Sequence, residues 1–352
     1  MFKTIPMFKS ILSISIIQRI THLFSLIFLL LFVLPDLSQA KQNENANHNN
    51  QLIVLFHGLC NNAASFKTIQ KQLEEKFPSA FVIALNSVEG MQTLNLSIKE
   101  QAAACFEELK TKVADVANKS ILLIGHSQGG NRAYAFLKEY EHLLKVKGLI
   151  TLATPWEGAP GARVNEEMLT IHLTDDVLND LHTLSVSLGY SADTLEKQLM
   201  FEVQRNQSMC MFPGAKDLIA GSDFLCATQK MLINEKVPIL SIGGGQNNFR
   251  SLLPNKSNKH SFKALNNMYS LFTVGKDHPN KNHDMWIPLY SQHALNIVPQ
   301  NNKKFERVFI KGVFHSTHVW SIIPVPQHQA ILSHPRVLDT IVKFIKKVSS
   351  KK

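Results

Sequence analysis

Residues 121–130 read ILLIGHSQGG, and the fold turns on how that stretch is parsed. Its first four residues are apolar without a break, which suits a strand buried on both faces of a parallel sheet. Gly125-His126-Ser127-Gln128-Gly129 then fits G-x-S-x-G, and residues 131–140 continue with a helical pattern. A serine hydroxyl is a poor nucleophile until a base reaches it. A sharp glycine-flanked turn from strand to helix exposes it to one. The string alone recurs by chance; strand before and helix after make Ser127 the candidate nucleophile.

The same rhythm extends outward. Residues 52–56 (LIVLF), 80–85 (AFVIAL) and 146–152 (VKGLITL) read as further buried strands. Residues 63–76 and 96–117 read as helices between them, with Leu96, Ala103, Phe106, Leu109 and Val113 on one apolar face. Alternating strands and helices predict an α/β fold with right-handed crossovers. After Thr154-Pro155 the rhythm breaks. Residues 157–236 carry helical patterns only and read as a helical cap inserted over the carboxyl edge of the sheet. Strands resume at 238–243 and 307–313, a polar stretch at 245–263 reads as a loop, and residues 335–347 form a closing helix. Its proline stands at the start and its lysines at the end, where each is favoured. The core is thus expected over 51–156 and 237–352.

Acyl transfer places negative charge on a carbonyl oxygen, so backbone N–H groups must already point there. In a fold of this kind one donor follows the nucleophile, here Gln128, and the other lies after an early strand, here Leu59 in His57-Gly58-Leu59. His57 precedes the serine and reads as a structural histidine of that loop. The acid and the base should follow the serine in that order. Asp284 heads Asp284-Met285-Trp286-Ile287-Pro288, a D-x-x-[IV]-P turn, and is preferred over Asp277. Three histidines compete as base. His315 ends the last strand run, His318 follows it, and His328 opens a turn (HQAILSHPRV) leading into the final helix. His328 is preferred, because Ile331 and Leu332 behind it would pack and fix the ring; His315 is the alternative. His278, His283 and Asp284 could each ligate zinc, but their spacing matches no metal motif and no metal is expected.

The 352 residues are 45% hydrophobic and 18% charged, a globular balance with material for a full core. Lys3, Lys9 and Arg19 precede an apolar run at 23–34, and Ser38-Gln39-Ala40 supplies small residues at a cleavage spacing. The run falls short of the roughly 20 residues that cross a bilayer. Residues 1–40 are therefore expected to be a cleaved signal, followed by a disordered leader over 41–50, and the product secreted or periplasmic/lumenal. Cleavage lowers the formal charge from +10 to +8, a basic balance that permits contact with an anionic membrane surface. No basic stripe interleaved with aromatics suggests nucleic acid. The even cysteine count favours disulfides in an exported chain; three connectivities are open, and Cys210–Cys226, which closes a short loop, with Cys60–Cys105 is preferred. Sequons begin at Asn95, Asn118, Asn206 and Asn255.

These residues together resemble the lipase and esterase branch of the α/β-hydrolase superfamily, over most of 51–347. FHGLCNNAASF is similar to a lipase oxyanion loop, IGHSQGG to the nucleophile elbow and GLITLATPWEGAP to the strand and turn after it. AKDLIAGSDFL resembles a lid segment, and HDMWIPLYSQ and HQAILSHPRV the acid and base turns. HGL, the cysteine in KEQAAACFEEL and G-x-SQGG also resemble palmitoyl-protein thioesterases, from which the TPWEG turn departs. The resemblance implies an enzyme without cofactor that hydrolyses acyl esters or lipid-like substrates, and a monomer is expected. A thioesterase, an acyltransferase and a non-catalytic binding relative are the alternatives.

Overall fold

The computed structural model describes residues 50–254 and 259–350. The expected signal lies outside them, as does all of the expected leader but Asn50. The first half alternates as its pattern predicts: β1 (Gln51–Phe56), α1 (Lys67–Lys76), β2 (Ala80–Ala84), α2 (Ile98–Lys112), β3 (Ser120–His126), α3 (Gln128–Tyr140) and β4 (Lys145–Leu152). Each strand ends within a residue of its apolar run, and Leu52 through Phe56 are wholly buried. Ser97 caps α2 through a reciprocal pair: its hydroxyl accepts the Glu100 N–H, and the Glu100 carboxylate accepts the Ser97 N–H at 2.8 Å. That box starts α2 later than its pattern suggested. Ala103 faces solvent, and Ala102 and Cys105 take the buried side with Phe106 and Leu109.

Four longer helices, α4 (Glu166–His172), α5 (Asp175–Ser187), α6 (Thr194–Met209) and α7 (Asp223–Leu232), and a single helical turn (Pro213–Lys216) lie between β4 and β5 (Ile239–Gly245). Side chains of Asn165, Thr174 and Ser222 cap α4, α5 and α7. The longer elements that follow are α8 (Lys263–Val274), β6 (Phe305–Lys311), a hairpin of β7 (His318–Val319) and β8 (Ile323–Pro324), and α9 (Pro335–Ser349). The polar stretch read as loop contributes apolar anchors after all. Phe249, Leu252 and Phe262 are buried with Leu181 and Leu184 of α5, Leu195 and Leu199 of α6, and Leu265 of α8. Met168 and Ile171 of α4 are exposed, whereas Leu169 is core.

Among the described residues the main sheet runs β2-β1-β3-β4-β5-β6, parallel throughout. Alternate strand residues such as Ile53, Leu55, Leu122, Ile124, Leu240 and Ile242 face α1 and α9, whose Ile341, Phe344 and Ile345 join the same core. The α2–α3 pair covers the other face, where Phe136 meets Phe56 and Phe106 edge-on at 5.5 and 6.0 Å. Truncating one such wholly buried side chain to alanine costs about 2–5 kcal/mol. The strand order reverses at β1: β2 lies on one side of it, β3 on the other. A crevice opens outside the carboxyl ends of strands at such a switch point, and ligands bind there. The loop after β1 carries Leu59, and the turn after β3 carries Ser127.

None of the four cysteines is in a disulfide, which corrects the expected pairings. Cys105 is buried in α2 against the Ser87 hydroxyl, whereas Cys60 is exposed at a loop.

Candidate active site

The chain can make the turn at Ser127 only under strain. Ser127 has φ 54° and ψ −130°, a conformation that side-chain-bearing residues rarely adopt. The turn is fixed from both sides: the Ser127 N–H donates to the Leu152 carbonyl, and its carbonyl accepts the Gly130 N–H, each at 2.9 Å. Glycine at 129 is a matter of clearance, since a Cβ there would stand 2.1 Å from the Phe56 carbonyl oxygen. A Cβ at Gly58 would meet the Ser127 Cβ at 3.1 Å, so the loop after β1 lies directly against the serine.

Asp284 is fully buried, and its turn is self-capped. Oδ1 accepts the N–H groups of Trp286 and Ile287 at 3.0 and 2.7 Å, leaving Oδ2 free to accept the His315 Nδ1–H at 2.8 Å. Tyr269 donates its hydroxyl to the Met285 carbonyl at 2.7 Å and pins the same turn. Asp277 is exposed and takes no part.

The preference for His328 is corrected by this geometry. His328 lies exposed in a short turn (Gln327–Gln329), and His318 is an exposed residue of β7. The segment behind His328 does pack: Ile331 is buried in the sheet core. What it fixes is another histidine. Phe314 donates its N–H to the Gln329 carbonyl at 2.8 Å and accepts the Ile331 N–H at 3.0 Å, so the 329–331 strip is the shelf on which the 313–315 loop rests.

His126, the unspecified residue of G-x-S-x-G, was not singled out by sequence and bears directly on the base loop. Its Nε2–H donates to the His315 carbonyl at 3.0 Å, and the two rings lie 4.8 Å apart. Burial, and then the neighbouring His315, hold the His126 pKa well below its ordinary value, so the ring is neutral at pH 7. His283 is likewise spent on structure. Its Nδ1 accepts the Met285 N–H at 3.2 Å, and its Nε2 faces the Ser270 hydroxyl at 3.0 Å.

Leu59 and Ser127 line one cavity of about 790 Å³ together with His126, Met285 and His315. Among the described residues, neither the Leu59 nor the Gln128 N–H donates to a backbone carbonyl. His57, just before the loop, donates Nδ1–H to the Gly58 carbonyl at 3.0 Å, the other end of the peptide that carries the Leu59 N–H. Burial, followed by Arg132, lowers the His57 pKa to about 4. Leu199, Val203 and Phe212 of the helical insertion supply apolar wall to the cavity. Helix α6 is clasped to the hairpin after His315: Gln198 donates to the Trp320 carbonyl at 3.0 Å and Arg205 to the Ser321 hydroxyl at 2.8 Å. A second cavity of about 480 Å³, near Asn266 and Lys281, contains none of Ser127, Asp284 and His315.

A switch-point parallel sheet, a strained serine elbow after β3 and a buried His–Asp pair in the loops after later strands define an α/β-hydrolase. Residues 52–203 match the family model of palmitoyl protein thioesterases. No curated protein matches it in sequence. Among solved structures, a lipase of Bacillus licheniformis in mature form is 13% identical with a TM-score of 0.46, over 85% of this chain and 92% of that one. A Listeria innocua gene product is 12% identical with a TM-score of 0.45, over 85% and 95%. A phospholipase of Legionella pneumophila is 12% identical with a TM-score of 0.46, over 86% and 63%. At these identities and TM-scores they say nothing about the substrate of this chain.

Proposed function

We propose that the protein is a serine hydrolase that releases long apolar acyl groups from ester or thioester linkage. The hydrogen bond between His315 and the buried Asp284, with His315 lining the same cavity as the strained Ser127, is the observation that carries this reading. Ser127 Oγ attacks the acyl carbonyl while His315 Nε2 takes its proton. Asp284 holds the tautomer and stabilises the imidazolium without taking the proton itself. The Leu59 and Gln128 N–H groups receive the oxyanion. The imidazolium then protonates the departing alcohol or thiol, and water activated by the same histidine releases the acyl chain. Apart from the hydrolytic water, every step uses groups of this chain, and the chemistry requires no cofactor.

The helical insertion acts as the cap of this site. A cavity of about 790 Å³ lies within the roughly 300–1,000 Å³ usual for ligand sites, and its apolar wall favours an acyl chain. Met91 and Phe212 line it and are also exposed, 57% and 37%, which suits contact of its mouth with a lipid surface. The match of residues 52–203 favours a thioester over an oxygen ester as the preferred linkage. The enzyme is proposed to act as a monomer after export, with residues 1–40 removed as a signal; amino-terminal sequencing of the exported product tests the cleavage.

A fluorophosphonate probe with peptide mapping tests the central claim, followed by turnover of p-nitrophenyl esters and acyl thioesters of graded length. Labelling at Ser127 is expected. Labelling elsewhere overturns the reading.

A further inference from the structure

The two amides assigned to the oxyanion come from separate parts of the chain, Leu59 from the loop after β1 and Gln128 from the first turn of α3. One residue outside every motif touches both. Thr93 lies in a short helical turn (Gln92–Asn95) between β2 and α2 and is wholly buried. Its Oγ1 accepts the N–H of Cys60, the residue after Leu59, at 2.7 Å and donates to the Gly90 carbonyl at 2.6 Å. Its carbonyl accepts the side-chain Nε2 of Gln128 at 3.0 Å.

The bracing continues behind it. Gln101 Nε2 donates to the same Thr93 carbonyl at 2.8 Å, and Gln101 Oε1 accepts from the buried Arg132 at 3.2 Å. Arg132 also donates to the His57 carbonyl at 2.7 Å, so the loop is gripped on both sides of Leu59. Between those grips Cys60 holds φ 54°, a left-handed conformation that persists only where its surroundings determine it. On the other side Gln128 Nε2 also donates to the Gly214 carbonyl of the helical insertion at 2.9 Å. A Cβ at 214 would stand 2.1 Å from the Thr93 carbonyl oxygen, so that contact is closed.

We propose that Thr93 is a positioning residue of the oxyanion hole, which sets the spacing of the Leu59 and Gln128 amides by holding Cys60 with its hydroxyl and Gln128 with its carbonyl. The inference rests on the reading of Ser127 as nucleophile. Donors help only when aimed at the place the oxyanion will occupy, and a shift of about 1 Å costs as much as 100-fold in rate. Thr93 never touches substrate. Its effect therefore belongs to the transition state and not to ground-state binding.

The test compares Thr93→Val, which keeps shape and removes the hydroxyl, with Thr93→Ser, which keeps the hydroxyl. On a p-nitrophenyl ester, Thr93→Val should lower kcat about 10- to 100-fold with KM within about twofold, and Thr93→Ser should restore kcat to within about threefold. Inhibition by an acyl trifluoromethyl ketone, whose carbonyl carbon takes Ser127 Oγ as the proton passes to His315, should weaken by the same factor as kcat. If Thr93→Val does not fold, Gln101→Met removes the bracing behind the Thr93 carbonyl and should lower kcat about 3- to 10-fold at unchanged KM. A folded Thr93→Val or Gln101→Met with wild-type kcat, a loss carried by KM, or a serine variant that restores nothing overturns the proposal. Wild-type protein that fails to label at Ser127 overturns the nucleophile reading instead.

Discussion

His315 and Asp284 are joined twice: the His315 Nδ1–H donates to Asp284 Oδ2 at 2.8 Å, and the His315 backbone N–H donates to the Asp284 carbonyl at 2.9 Å. The side-chain bond selects the tautomer with its proton on Nδ1, leaving Nε2 free to receive a proton. The backbone bond keeps the two loops in register while the ring changes charge. His315→Ala should therefore lower kcat by at least about 1,000-fold, whereas the exposed His328→Ala stays within about twofold. Ester turnover by the two purified variants checks this, and a low rate in His328→Ala would reverse the assignment.

Asp284→Asn separates holding from tautomer selection. The amide keeps the size of the carboxylate but can present an N–H toward Nδ1, which favours the wrong tautomer. A fall in kcat of about 10⁴-fold is expected with the fold retained. Asp277→Asn, at an exposed site, should leave kcat as it was. Equal losses in both would remove Asp284 from its role.

Ser127 stores strain that the chain would lose if it could. Ser127→Gly should abolish turnover and raise the unfolding free energy by about 1 kcal/mol, because glycine tolerates φ 54°. Thermal melting read beside activity tests this. An inactive variant that melts below the wild type would mean the elbow is not strained in solution.

Acid should weaken the fold through buried histidines. Burial lowers His293 to about 3, with Arg307 adding to it, and lowers His283 to about 4. Both are neutral when folded and titrate near 6.5 when unfolded. Their contribution is complete above about pH 6.5 and is lost as pH falls toward 4 and below, at up to about 1.4 kcal/mol per pH unit for each. His293 Nε2 is buried with no hydrogen-bond partner, so a proton there would be unsatisfied. Urea unfolding at pH 7.5, 5.5 and 4.5 should show the slope, and His293→Asn should make it shallower. An unchanged slope would assign the acid sensitivity to other groups.

What the sequence made legible was what local geometry controls. Gly129 is required by a contact with the strand just before the loop at 57–60, and Asp284 by N–H groups two and three residues on, so both turns announce themselves as short motifs. The base does not. His315 is fixed by bonds between Phe314 and the 329–331 strip, and the motif therefore surrounded the supporting segment while the working ring lay upstream. Thr93 was silent for a stronger reason: its partners come from residues 60, 90, 101 and 128, and no spacing encodes that convergence. The cysteines were misread because an even count says nothing of where side chains point. The alternation of strands and helices was readable because full burial of a parallel sheet leaves its mark on nearly every strand residue.

The shelf beneath the base loop has one more consequence. Phe314 and Gln329 are bonded to each other, so the hairpin between them leaves the fold and returns to it at a closed neck. Thr317, His318 and Ser321 on that excursion line the cavity that holds Ser127. Evolution can lengthen, shorten or rewrite the excursion while the neck holds the imidazole still. The same architecture can thus retune what it accepts without renegotiating how it cuts.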